Sequence, residues 1–351
     1  MQGLRDKREA PAWPRQTVFT ALALLALVFL LPLLFIEEEP SPRQREPEPT
    51  ATLPLAAMPT PSLRPVEGWD GGQTVRFLKS DGTVETMTME DYLWGVVAAE
   101  MPASFHGEAL KAQAVCARTY CVHQKRTGAE KHPEADVCGD YTCCQAYLTR
   151  EQAAESWGED AQRYADKVTQ AVSDTDGLLC LYDGEPIDAV FFSSTEGRTA
   201  DAAEVWGATV PYLVPVDSPE GEEVPGWRTV CTYPADEVRE RIGKAWPQAD
   251  LSGALETWFS SPALDGSGNV ARMTVGGVTA TGAQVRAAFG LRSARFTVEP
   301  GEGTVTFRVT GYGHGVGMSQ YGANALAGEG KSFQDILEWY YTGAVVSGWA
   351  E

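Results

Sequence analysis

Three observations predict an α+β fold for this chain. Strand-like and helix-like patterns come in blocks, with no regular βαβ alternation. Helix starts carry capping signals, with Thr88 three residues before Asp91, Thr281 before Gln284 and Ser332 before Asp335. Turn signals at Ser80-Asp81-Gly82 and Asp183-Gly184 separate alternating apolar runs, the mark of antiparallel pairs. Helices and antiparallel strands are expected to surround a cleft, preceded by one N-terminal transmembrane helix.

The elements follow in chain order. Thr17 to Ile36 contain no charge and make about 30 Å of helix, the depth of a bilayer core. Arg5, Lys7, Arg8 and Arg15 precede this run, and Glu37, Glu38 and Glu39 follow it. Positive-inside logic makes residues 1–16 cytoplasmic, 17–36 a single membrane pass and the remainder extracytoplasmic. The rival reading is a cleaved signal peptide. Against it, the run exceeds a usual apolar h-region and no clear small-x-small site follows. Residues 37–66 are rich in Pro and poor in aromatics, which predicts an extended, semi-rigid stalk. Residues 67–351 remain, enough for a large core or two smaller ones.

Within that region, residues 75–89 read as a hairpin. A helix follows through Glu100, ended by Met101-Pro102 because a residue before proline is pushed out of helical geometry. A second helix is expected over roughly 107–125, then a polar Cys-containing loop, then helices near 150–156 and 160–173. Strands are expected at Leu178–Tyr182 and Ile187–Phe192. Residues 224–300 mix strands with short helices, Pro234 suiting the first turn of one of them. Val305–Thr310 runs into a glycine-rich turn, and two helices close the chain.

The chain holds 48 acidic and 28 basic residues, a formal charge of −20. Such a surface repels phosphate backbones, so no nucleic-acid partner is expected. Neutral sugar chains are compatible with it. A hydrophobic fraction of 43% and ten Trp indicate a packed globular body.

Four constellations can carry chemistry. Glu100 ends an apolar helix beside Val96, Val97, Ala98, Ala99 and Met101. Desolvation and the negative end of the helix dipole both raise a carboxyl pKa there. The resulting protonated acid is what a leaving oxygen needs. From composition alone, the commoner reading is that Glu100 merely caps a surface turn or pairs with Arg118. The second constellation is FFSSTEGRTADAAEVWG (191–207), where Ser194 and Thr195 offer hydroxyls suited to sugars; an ordinary turn with a helix cap is the alternative. The third is GYGHGVGMSQYGANALAGEG (311–330). Its glycines permit backbone shapes that bring His314, Ser319, Gln320 and Tyr321 together, with His314 either functional or a hydrogen-bond hub. The fourth is His132–Cys138–Cys144, soft donors in a short polar loop that fit Zn²⁺. A disulfide from Cys138 to Cys143 or Cys144, or free thiols, also fit this pattern. Seven Cys in all exclude a complete disulfide framework within one chain.

The string YLWGVVAAEMPASF…EALKAQAVCARTY resembles the signature of the stage II sporulation protein D family, which includes amidase-enhancer and lytic proteins. GHGVGMSQYGA (313–323) and the Ser-Thr-x-Gly-Arg-Thr stretch from Ser194 match its other blocks. With ILEWYYTGA (336–344), resemblance covers about residues 85–345. Glu196 departs from the pattern and receives no role. The resemblance implies that Glu100 is the catalytic residue of a peptidoglycan lytic transglycosylase, whose single acid suffices because the substrate's own C6 hydroxyl is the nucleophile. Arg118, Tyr120, Ser194, Thr195, His314, Ser319, Gln320 and Tyr321 are then candidates for binding the sugar. The alternative is a non-catalytic wall-binding or amidase-enhancer module, and a muramidase is a third reading. The resemblance also implies a structural zinc at His132, Cys138 and Cys144, with Cys143 a candidate further ligand. A sporulation amidase and a membrane scaffold are the implied partners during engulfment, on strands already stripped of stem peptides.

Overall fold

The computed structural model describes residues 65–128 and 131–349. The expected membrane pass at 17–36 and nearly all of the stalk lie outside these residues. No helix among the described residues is long and apolar enough to cross a membrane.

The chain opens with a short helix α1 (Trp69–Gly72) and the expected hairpin, β1 (Thr74–Leu78) against β2 (Val84–Thr88), in register from Thr74–Thr88 to Leu78–Val84. Helix α2 (Met89–Glu100) starts where the Thr88 hydroxyl accepts from the Asp91 amide, and ends as Met101 turns extended before Pro102. Helix α3 (Gly107–Thr127) is nearly all buried along its middle, from Ala109 to Val122. It is the spine of the first core, touching α2, α5, β4 and both closing helices.

Strand β3 (Val137–Cys138) lies parallel to β1. Helices α4 (Arg150–Trp157) and α5 (Ala161–Ser173) follow, the first opened by a capping box at Thr149 and Gln152. β4 (Leu178–Tyr182) turns through Asp183 and Gly184, both at positive φ, into β5 (Glu185–Pro186). The expected strand at 187–192 shortens to β6 (Phe191–Phe192), because the Val190 amide turns back onto the Asp188 carbonyl. After the short helix α6 (Ala202–Trp206) the chain enters a second core.

That second core is a lobe running from β7 (Arg228–Pro234) to β12 (Thr304–Thr310). It contains α7 (Ala235–Ala245), the β8–β9–β10 sheet (Ala263–Leu264, Val270–Val275, Val278–Ala280), α8 (Gly282–Phe289) and β11 (Phe296–Gly301). β12 is the centre of an antiparallel sheet ordered β11–β12–β7. Phe289, Phe296 and Phe307 pack beneath it with centroids 4.7–5.8 Å apart. The chain then returns to the first core through β13 (Met318–Ser319), α9 (Gln320–Gly328) and α10 (Phe333–Tyr340). It ends in β14 (Val345–Gly348), which pairs with β4 and had no clear sequence signal. The single region expected over 67–351 thus rests on two separate hydrophobic clusters.

Candidate active site

The C-terminal end of α2 places Glu100 between two chambers of about 390 and 780 Å³. They share Ala99, Glu100, Ser193, Tyr312 and Gln320 as common wall. Glu100 is half-buried. Its Oε1 accepts a 2.6 Å hydrogen bond from the Ala146 amide, and its Oε2 faces Gln320 Nε2 at 3.4 Å. Burial raises its pKa; the bonds from Ala146 and Gln320 pull the other way without offsetting it. The protonated form is therefore favoured relative to a carboxyl in water.

The glycine-rich turn builds the opposite wall. Gly311 and Gly317, both at positive φ, sit where a Cβ would lie 2.7 Å from the Ser194 carbonyl and 2.1 Å from the Val190 carbonyl. Only this close approach lets α9 start beside Glu100. The Ser319 hydroxyl caps that helix by accepting from the Gly322 amide, and donates to the buried carboxylate of Glu220. Glu220 also takes the Thr195 amide at 2.8 Å and the Ser218 hydroxyl at 2.5 Å.

The structure brings some expected residues to the cleft and removes others. Gln320 lines both chambers, Tyr321 and Ser194 the narrow one, and Tyr120 and His314 the wide one. Tyr321 meets Phe105 edge-on at 4.9 Å. His314 Nε2 bonds the Phe191 carbonyl at 3.0 Å, while Nδ1 accepts from the Val316 amide at 3.2 Å. That pairing fixes the tautomer. Burial first, and the Arg286 charge next to it, lower the His314 pKa to about 4, so the ring is neutral. Both nitrogens are taken by the backbone, and the Trp206 ring lies 5.4 Å away.

Arg118 is not in the cleft. It is fully buried and forks onto Asp70, Nε to Oδ1 at 2.7 Å and Nη2 to Oδ2 at 2.6 Å. Its place on the inner face of α3 makes it a core ion pair, and it does not pair with Glu100. Ser319 and Thr195 likewise line neither chamber, since the Glu220 network uses their hydroxyl and amide.

Sequence reasoning missed several lining residues. Tyr141, Trp206 and Tyr312 stand 72%, 47% and 43% exposed on the rim of the wide chamber. Exposed rings beside a polar cleft are apolar platforms of the kind that the flat faces of sugars cover. Asp188 also lines this chamber, with Oδ1 buried and lacking a hydrogen-bond donor. Arg286 reaches it from α8 of the second lobe. A Trp, Tyr or Arg gives no local signal of exposure, so composition and spacing had nothing to offer here.

Beside the wide chamber, one donor atom each from His132, Cys138, Cys143 and Cys144 lie within 4.8 Å of one another. Cys143 thus joins the expected three. All seven cysteines are unbridged, so the disulfide alternative falls. A tetrahedral site with ~2.3 Å Zn–S bonds has donor–donor edges of about 3.8 Å, which this cluster accommodates. Burial first, then the neighbouring Cys144 thiol, push Cys138 up to about 12. A Cys₃His donor set suits zinc, whose charge would neutralise thiolates held this close together.

Comparison with known proteins now bears on this arrangement. The profile of the family described as SpoIID, stage II sporulation protein, matches residues 79–182. The chain is 37% identical over 269 residues to the stage II sporulation protein D of Bacillus amyloliquefaciens, covering 76% of each chain. It is also 37% identical over 266 residues to that of Bacillus subtilis (strain 168), again 76% of each. An amidase enhancer of Bacillus subtilis (strain 168) is 28% identical over 306 residues, 73% of this chain and 40% of that protein. An α+β body with a desolvated carboxyl between two chambers thus belongs to a class of sporulation proteins connected with the cell wall. The chain is a member of the stage II sporulation protein D family.

Proposed function

We propose that the protein is a lytic transglycosylase acting on peptidoglycan glycan strands stripped of stem peptides, with Glu100 as its acid. One observation carries the reading: a carboxyl whose pKa is raised by burial sits at the junction of two chambers and is held at both oxygens. In the proposed reaction Glu100 gives its proton to the glycosidic oxygen as the C1–O bond of N-acetylmuramic acid breaks. The C6 hydroxyl of the same sugar attacks C1, and the Glu100 carboxylate takes up the hydroxyl proton. A 1,6-anhydro end forms and the acid is regenerated. Ala146 and Gln320 orient the carboxyl, and Trp206, Tyr312 and Tyr141 offer rings on which sugars stack. His132, Cys138, Cys143 and Cys144 would hold a zinc, which would act as a structural clamp on the loop that carries the Ala146 amide.

The same reading places the enzyme on the outer side of the cell membrane, tethered by 17–36 and held off by the 37–66 stalk. A sporulation amidase that frees the strands and a membrane scaffold are its proposed partners. Kinship to an amidase enhancer supports a second reading, a wall-binding module without chemistry. The test is mass spectrometry of purified peptide-free glycan after digestion. Anhydro ends made by the wild type and absent with Glu100→Gln support the enzyme. Reducing ends would indicate a muramidase, and unchanged strands with retained binding the non-catalytic module.

A further inference from the structure

Three cations line the two chambers among the described residues, and they differ in what they already hold. Lys131 is exposed and donates to the Cys143 carbonyl at 2.9 Å. Arg292 is exposed, lies over the Tyr312 ring at 5.0 Å and donates to the Gly226 carbonyl at 3.2 Å. Arg286 is half-buried in the last turn of α8, and its one hydrogen bond runs from Nε to the Leu291 carbonyl at 3.3 Å. Both Nη groups lack a protein partner, and no carboxylate lies within 4.0 Å among the described residues. Among the described residues, Lys131 and Arg292 also lack a carboxylate at that distance, but both are exposed to water, whereas Arg286 is half-buried. Buried charges are as a rule paired, because a desolvated ion without a counter-ion is destabilising. Burial even lowers the pKa of this guanidinium.

We infer that the free fork of Arg286 binds the lactyl carboxylate of N-acetylmuramic acid, making Arg286 the residue that selects peptide-free strands. The inference rests on the glycan-cleft reading above. In a peptide-free strand the lactyl carboxylate is the only ionised group. Joined to a stem peptide, the same carbon is a neutral amide, which offers one acceptor and no charge. A guanidinium fork matches a carboxylate with two parallel hydrogen bonds and matches the amide poorly. An acidic surface repels an anionic strand at a distance, so the attraction has to be local. Arg286 stands on the same chamber as Glu100, Trp206 and Tyr312. The second lobe, which lies outside the residues 79–182 matched by the family profile, thereby contributes the residue that reads the substrate.

The test uses the full chain in detergent, carrying Glu100→Gln so that ligands stay intact. Calorimetry compares three tetrasaccharides: the alternating glycan with free lactyl groups, the same glycan with those groups amidated, and chitotetraose. The expected result is binding of the first about ten- to a hundredfold tighter than the other two. Adding Arg286→Gln brings the first down to the level of the others, and Arg286→Lys leaves an intermediate preference. A parent that binds all three equally, or a preference that survives Arg286→Gln in a folded protein, overturns the inference alone. A parent that binds none of them removes the glycan-cleft reading itself.

Discussion

The amide of Ala146 donates a 2.6 Å hydrogen bond to Oε1 of Glu100, across 46 residues of chain. Ala146 follows Cys144 by two positions, so the loop that gathers the four metal-type donors also sets the height of the acid. The Leu148 amide bonds the Gly95 carbonyl at 3.1 Å, and the Tyr147 ring lies where a Gly95 Cβ would be, 2.2 Å away. The loop is thereby pressed along α2.

Removing the metal is expected to loosen that loop. Chelation, or Cys144→Ser, should lower the melting temperature and reduce strand cleavage by loosening the loop that carries the Ala146 amide. Zinc readdition should restore both for the wild type. Thermal melts beside an anhydro-end assay, with metal content by elemental analysis, check this; activity unaffected by complete metal loss would contradict it.

Gly95→Ala is expected to cost about 1–3 kcal/mol, because the added methyl meets the Tyr147 ring and the core cannot absorb it. Cleavage should fall with it as Ala146 shifts. Urea unfolding and the cleavage rate measure the two effects.

Glu100→Gln is expected to reduce cleavage by about a hundred- to ten-thousandfold, the scale of general acid catalysis. It should at the same time raise stability at neutral pH. The sign follows from linkage. A carboxyl whose folded pKa lies above its unfolded value of 4.5 binds more protons folded than unfolded between the two. Wild-type stability therefore declines as pH rises from about 4.5 through the folded pKa, and the glutamine variant escapes this decline. The gap should close below pH 4.5. Gln320→Ala removes a bond that favours the ionised form, so the alkaline limb of cleavage should move to higher pH. Melts and rate profiles across pH 4–9 decide both points.

Asp70→Ala is expected to cost about 3–5 kcal/mol by stranding the buried Arg118 guanidinium. Any fold retained should cleave with an unchanged pH profile, since neither residue reaches the chambers. A shift of that profile would restore Arg118 to the site.

Arg118 also shows where a sequence stops being informative. It shares a motif with Tyr120 on one helix, and nothing local says that one side faces Asp70, 48 residues earlier. Glu100 was legible because its neighbours along the helix are themselves the desolvating wall. The capping residues Thr88, Thr281 and Ser332 were legible for the same reason, as each acts within three residues. Ser319 and Thr195 were polar residues in a site-like string, yet their partner is Glu220, whose position only the packed chain defines. Trp206 depends on how α6 packs against His314, and Tyr312 and Arg286 on how the second lobe meets the first; no periodicity encodes either.

The lobe itself leaves and rejoins the first core at one place. Near its entrance the Trp227 carbonyl accepts from the Gly311 amide at its exit, at 2.7 Å. A segment whose two ends touch is a detachable cassette in evolutionary terms. Under the proposed function, its length and Arg286 can drift while Glu100 stays in place, which would let substrate preference and bond-breaking power change independently.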